Sequence, residues 1–251
     1  MPTIKKESFG KLADGREALI YTLRNNKGNE LKVTDYGAKI ISFRFRDKNF
    51  SNKFLVQTVE NLNDETASKV FVDGGEDFSK KIWSSEQFNQ GVRFTAQDGD
   101  KKIEIVYSIS NDNELSIKYQ AEGVDDISSQ LSFSADALPD CEIKAYAEGA
   151  EKGKISGSQI YNIIDKPAEV EFVEGMFGYD FGCPIDYFDA GLKNAADIKS
   201  DPASILIQVF ASQNKLHVEE VDGGFVIKTS DTKKADGKIT SQTVYIFKNR
   251  D

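Results

Sequence analysis

Apolar and polar residues alternate with a period of two along much of this chain. Leu19, Tyr21 and Leu23 share one side of the stretch Glu17–Arg24, and Leu31 and Val33 follow a turn cluster at 25–29. Ile41, Phe43 and Phe45 then alternate with Ser42, Arg44 and Arg46. Alternation of this kind predicts half-buried strands. The clearest hairpin comes next: Ile103, Ile105, Tyr107 and Ile109, a polar turn at 110–114, then Leu115, Ile117, Tyr119 and Ala121. Opposed apolar faces build one wall of a sandwich.

Shorter strands are predicted at 70–72, 91–95, 128–133, around Val170 and Phe172, and at 205–211, 225–229 and 240–247, with extended structure resuming at 81–83. Residues 60–66 read as a solvated loop or one short helical turn, and 145–158 as a surface loop rich in Gly, Ala, Glu and Lys. Residues 175–182 form a glycine-punctuated aromatic loop. Residues 192–198 read as one short helix. No heptads, solenoid repeats or βαβ alternation occur, and no Pro, Gly or Ser-rich linker divides the chain. The sum is an all-β class, a large antiparallel β-sandwich, expected as one domain over 1–251.

Composition narrows the partners. With 251 residues there is ample chain for a large core. A net charge of −9 argues against nucleic acid and against an anionic membrane surface, because both need a basic footprint. A neutral ligand such as a sugar is compatible with that charge, and a protein partner is too. No apolar run approaches the roughly 20 residues that span a bilayer, and no apolar segment follows the charged pair near the start. Cys141 and Cys183 lie far apart and read as free buried thiols. These features together predict a cytoplasmic protein. No metal-ligand spacing, phosphate loop or nucleophile elbow is present, so neither metal nor cofactor is expected.

Three blocks resemble the aldose 1-epimerase (galactose mutarotase) family. Residues 9–47 carry Phe-Gly-Lys-Leu-Ala-Asp-Gly-Arg-Glu, then Tyr-Thr-Leu-Arg-Asn, then Val-Thr-Asp-Tyr-Gly-Ala-Lys-Ile-Ile-Ser, similar to that family's opening. Residues 71–83, Phe-Val-Asp-Gly-Gly-Glu-Asp-Phe-Ser-Lys-Lys-Ile-Trp, resemble its L-H-G-G-x-x-G-F-D-[KR]-x-x-W block. The strands at 91–94 and 113–119 continue this likeness, and residues 201–210 resemble the strand that enters the family's C-terminal half. The fold so implied is a large antiparallel sandwich with a sugar in an open cleft on a concave sheet.

Mutarotation needs an acid at the ring oxygen and a base at the anomeric hydroxyl, each contributing roughly 10²–10⁴-fold. In the family the acid is a histidine in an N-H-S-Y-F block and the base is a glutamate in a G-[FV]-x-[LI]-E-T strand. Here the best matches put Ser134 at the acid position and Lys228 at the base position, in Gly-Phe-Val-Ile-Lys-Thr at 224–229. Asp73 takes the place of the H-G-G histidine. The R-x-x-N-R segment has no counterpart between Thr58 and Val70, and a D-H-x-F motif survives only as Ile-Asp-Tyr-Phe at 185–188. The chain holds one histidine, His217. A site that requires two histidines cannot be assembled from it.

Each candidate also has a plainer reading. Asp73 before two glycines suits a turn, His217 a structural strand position, and Lys228 a solvated strand lysine. A lysine serves as a base only where burial has driven off its proton, at a cost of about 4 kcal/mol. Trp83 reads as core, or as an aromatic platform for a sugar face. The candidate ligand residues are therefore Asp73, Trp83, Asp186, Tyr187, His217 and Lys228. Three functions follow: an epimerase-like carbohydrate-binding protein without mutarotase activity, an epimerase using substituted groups, or a protein-interaction module.

Overall fold

The computed structural model describes residues 2–62, 70–72, 78–145, 153–156, 159–161, 170–171, 192–213 and 215–250. Their regular structure is strand apart from one short 3₁₀ turn, Phe78–Lys80. In chain order the strands are β1 Thr3–Lys11, β2 Glu17–Arg24, β3 Glu30–Thr34, β4 Ile40–Arg46, β5 Asn52–Phe54, β6 Val70–Val72, β7 Ser84–Phe88 and β8 Gly91–Asp98. The hairpin β9 Lys101–Ile109 and β10 Glu114–Glu122 follows, then β11 Asp126–Ser134, β12 Cys141–Ala145, β13 Gly153–Ser156, β14 Gln159–Tyr161 and β15 Val170–Glu171. The last five are β16 Lys193–Ser200, β17 Ile205–Ala211, β18 Lys215–Val221, β19 Gly224–Thr232 and β20 Lys238–Asn249.

These strands make three antiparallel sheets. The largest has ten, in the order β14-β13-β12-β16-β17-β20-β10-β9-β8-β7. Two five-stranded sheets, β1-β2-β3-β4-β5 and β15-β18-β19-β11-β6, pack against one face of it. Aromatic pairs mark the seams: Tyr21 meets Phe94 edge-on at 5.5 Å, Phe43 stacks on Phe247 at 4.2 Å, and Phe133 reaches Tyr245 at 5.9 Å. Such pairs add about 0.5–1.5 kcal/mol each beyond the area they bury.

Residues 55–59 strap the two smaller sheets together. Leu55 and Val59 donate their backbone N–H groups to Phe43 and Ile41 of β4, at 3.0 Å each. On the other side Gln57 donates to Ser132 of β11, and Ser134 donates back to Leu55, again at 3.0 Å. The two sheets thus run into one layer opposite the ten-stranded sheet.

The Tyr-Gly-Ala segment at 36–38 is a structural joint. Gly37 has a φ of +73°, and a β-carbon there would lie 2.2 Å from the Ser79 carbonyl oxygen. Only glycine fits both demands. Its N–H donates to Lys81 O at 2.8 Å, and the Tyr107 hydroxyl donates to Ala38 O at 2.6 Å.

A line of polar side chains crosses the apolar interior. The Thr243 hydroxyl donates to Gln213 Oε1 at 3.1 Å. Thr229 lies 3.1 Å from Thr243, Ser129 lies 3.3 Å from Thr229, and Ser129 also bonds Tyr119. A hydroxyl has one proton to give. Because Thr243 spends its proton on Gln213, Thr229 must donate to Thr243, Ser129 to Thr229, and Tyr119 to Ser129. Burial holds the Tyr119 phenol far above its ordinary value, so that proton stays in place.

Two expectations need correction. Residues 192–198 are not a helix: β16 runs through them, paired with β12 on one edge and β17 on the other. Its register shifts between Asn194 and Ala196. That bulge lets both Ala195 and Ala196 be buried, which imitates helical spacing in the sequence. The segment 145–158 is not all loop either, because β13 lies within it and pairs with β12. The aromatic loop at 175–182 lies outside the described residues. Cys141 is a free, fully buried thiol, and burial pushes its pKa up to about 12. Cys183 lies outside the described residues.

Candidate functional site

The side of β6, β11 and β19 turned away from the core carries the motif-matched positions Ser134 and Lys228. Along β11, Ile127, Leu131 and Phe133 enter the core, so Ser128, Gln130, Ser132 and Ser134 turn outward. Along β19, Phe225 and Ile227 enter the core, so Val226, Lys228 and Ser230 turn outward. Gln130 stands opposite Lys228 and Ser132 opposite Val226. Ser128, Ser132 and Val226 are buried although they lie on this face, whereas Gln130, Ser134, Lys228 and Ser230 are half-buried. The face is therefore recessed.

Lys228 has an aromatic neighbour. Phe71 of β6 stands opposite Ser128, and the Lys228 Nζ sits 5.5 Å from the centre of its ring. A cation in that position gains about 0.5–2 kcal/mol. His217 stands opposite Lys228 across the β18–β19 ladder, which puts 217, 228 and 130 in one row of three strands. Glu219 stands opposite Val226, two positions further along β18.

Ser134 lies at the other end of the same face. It is four residues beyond Gln130 on β11, roughly 13 Å at about 3.3 Å per residue, so it does not hydrogen-bond Lys228 directly. Its Oγ accepts from the Ala137 N–H at 3.4 Å and its carbonyl accepts from Leu138 at 3.2 Å, so it also opens the turn after β11. Beside it the Gln57 side-chain amide donates to Asp222 O at 2.7 Å, which closes the corner near Gly224.

Trp83 has moved to the plainer of its two readings. It is 2% exposed, its indole N–H donates to Phe78 O at 3.1 Å, and it packs edge-on against Phe78 at 6.2 Å. Neither ring face is open to a sugar. Asp73, Asp186 and Tyr187 lie outside the described residues. Phe71, Gln130 and Ser132 were missed as candidates, because outward positions on a strand look the same in sequence whether they meet solvent or a ligand. A motif match finds Lys228; only the register finds its neighbours.

An open cavity of about 600 Å³ lies elsewhere, lined by Phe9, Leu12, Tyr36, Glu60, Leu62 and Lys80 among others. It contains none of the candidate ligand residues named from the sequence, although Phe9 to Arg16 and Tyr36 belong to the family-like opening block. Among the described residues no group of three or more His, Cys, Asp or Glu side chains is arranged to hold a metal. None of the described helices is long and apolar enough to cross a membrane.

No family model matches the sequence, and no curated protein matches it. Solved structures do match the fold. Galactose 1-epimerase from Lactobacillus acidophilus superposes with a TM-score of 0.65 at 12% identity, over 100% of both chains. A GalM/aldose epimerase homologue from C. elegans gives 0.64 at 10% identity, covering 90% of this chain and 98% of its own. The fold is galactose mutarotase-like. A putative aldose 1-epimerase from Escherichia coli K12 agrees, with a TM-score of 0.61 at 12% identity over 92% of this chain and 99% of that one. Identity this low speaks for the galactose mutarotase-like fold alone.

Proposed function

We propose that this chain is an aldose 1-epimerase-like protein that binds a small carbohydrate, such as a hexose, on the recessed face of β11 and β19 without catalysing mutarotation. The observation that carries the reading is Lys228. It stands where the family resemblance implies a basic glutamate, and its ammonium lies over the Phe71 ring. Neither 128–134 nor 224–230 contains a carboxylate. The serines, Gln130 and Lys228 supply hydrogen bonds that suit sugar hydroxyls, and Phe71 supplies an apolar surface. What is lacking among these described residues of β11 and β19 is a carboxylate base opposed to an acid: Ser134 and Lys228 stand at opposite ends of the face.

The test has two readouts. Polarimetry of α-glucose and α-galactose with concentrated protein should give no acceleration over buffer. A bound hexose at about ten times its Kd should add about 1.4 kcal/mol, or about 3–6 °C in Tm. That shift should disappear in Gln130→Ala and Lys228→Glu. Acceleration abolished by Lys228→Met would overturn the non-catalytic reading, and the absence of any hexose shift would overturn carbohydrate binding.

A second reading has one observation in its favour. The ladder sets His217 opposite Lys228 and Glu219 two positions on, so one strand brings two titratable residues to the rows beside β19. An epimerase with substituted groups would lose its activity in His217→Asn or Glu219→Gln.

A further inference from the structure

The outer face of the first sheet holds a second concavity with a different chemistry. Arg24, Glu30 and Arg44 form one row across β2, β3 and β4, and Arg46 stands opposite Asn52 of β5. Glu30 Oε2 accepts from Arg24, and from Arg44 Nη2 at 3.1 Å; Lys32 Nζ is 3.8 Å from Oε1. Three cations, Arg24, Lys32 and Arg44, thus share one carboxylate, and a fourth, Arg46, stands two positions from Arg44 on the same face of β4. The next acid along β4, Asp47, is engaged by its own turn, where it accepts from the N–H groups of Asn49 and Ser51 at 2.9 and 2.8 Å.

These side chains enclose a pocket of about 210 Å³, lined by Arg24, Gly28, Arg44, Arg46, Phe50 and Asn52. Arg44 Nε is buried with no hydrogen-bond partner among the described residues. The Arg46 guanidinium lies 4.9 Å from the centre of the Phe50 ring. A β-carbon at Gly28 would come within 3.3 Å of Arg46, so the glycine leaves room for the arginine to fold over. Phe50 is 73% exposed and Phe54 is 50% exposed. They are the exposed large hydrophobic residues among those described, and Phe54 stands opposite Arg44.

A chain of net charge −9 here gathers a surplus of three positive charges, a half-buried arginine with an unmet donor and an open aromatic ring. Guanidinium forks match tetrahedral and planar oxyanions, and a dianion offsets more of the surplus than a carboxylate does. We propose that this pocket binds the phosphate group of a phosphorylated small molecule, with Phe50 covering the adjoining organic part. The site is separate from the β11–β19 face and shares no residue with it.

Isothermal titration of the full chain at low salt tests this with three probes: inorganic phosphate, phenyl phosphate and benzoate. Both phosphates should bind saturably, phenyl phosphate several-fold more tightly. Phe50→Ala should abolish the difference between them while leaving inorganic phosphate bound. Arg46→Gln changes an exposed side chain, so the fold is retained, and it should weaken both by about tenfold. Arg44→Gln should do so more strongly. Benzoate binding as tightly as phenyl phosphate would overturn the choice of phosphate. No saturable heat with either phosphate, or unchanged binding in Arg46→Gln with the Tm preserved, would overturn the site.

Discussion

A β-carbon on Gly224 would lie 1.8 Å from the carbonyl oxygen of Phe133. The two meet where β19 begins beside the end of β11, four residues before Lys228. The glycine that opens the Gly-Phe-Val-Ile-Lys-Thr segment is therefore fixed by a close backbone approach. Gly224→Ala should push the strands apart and destabilise the chain by about 1–3 kcal/mol or more, a fall in Tm of roughly 2–4 °C per kcal/mol. Thermal unfolding checks it, and a Tm within one degree of the parent would show that the corner relaxes freely.

The ordered hydroxyl line through the core gives a second expectation. Thr243→Val keeps the shape of the side chain but strands the Gln213 acceptor and the Thr229 proton. The loss should be about 1–3 kcal/mol in urea unfolding, and Thr243→Ser should retain most of the stability. In the double variant Thr229→Val, Thr243→Val the two losses should not add, because the second change removes a group already unpaired by the first. Additive losses would mean that the line does not act as a unit.

Asp35 offers a test in pH. Its carboxylate is buried and accepts from the Leu19 N–H at 2.8 Å. Burial raises its pKa above the ordinary 3.8, although the Leu19 bond and the nearby Lys6 charge act the other way. Between 3.8 and the raised value the folded chain holds a proton that the unfolded chain releases. Stability attributable to this group is present below that window, falls as pH rises through it, and stays lower above it. Asp35→Asn keeps an acceptor for Leu19 and removes the charge. It should be more stable than the parent at pH 7, with the gap closing as pH falls through that window to 3.8. A variant less stable at pH 7 would mean that the carboxylate is worth more charged than neutral.

The hairpins were legible because their alternation is uninterrupted. Tyr21 and Leu23 in β2, and Ile103, Ile105, Tyr107 and Ile109 with Leu115, Ile117, Tyr119 and Ala121 in the β9–β10 hairpin, enter the core at alternate positions as the pattern predicts. β16 was misread because its bulge breaks the alternation at the point where two alanines are buried together. Within the site, Lys228 and Ser134 were found through motifs, yet the motifs that survive best serve the scaffold: Gly37 meets the Ser79 backbone and Gly224 meets Phe133. Phe71 and Gln130 were hidden because the partner of an outward strand residue is set by register, and register depends on residues far away in sequence. Trp83 illustrates the reverse case, in which a residue type suited to sugars serves the core.

The strap at 55–59 also bears on self-association. A sheet edge with unpaired N–H and C=O groups is a template for another chain, and two smaller sheets lying side by side would ordinarily bring two such edges. Here one extended segment occupies the inner margin of β4 and the inner margin of β11 together. A substitution that pulled it away, such as Leu55→Pro, would uncover both margins in one event, and the consequence would be sticky, fibre-prone material as well as lower stability. The short segment with the weakest periodicity in this half of the chain thus covers two strand margins at once.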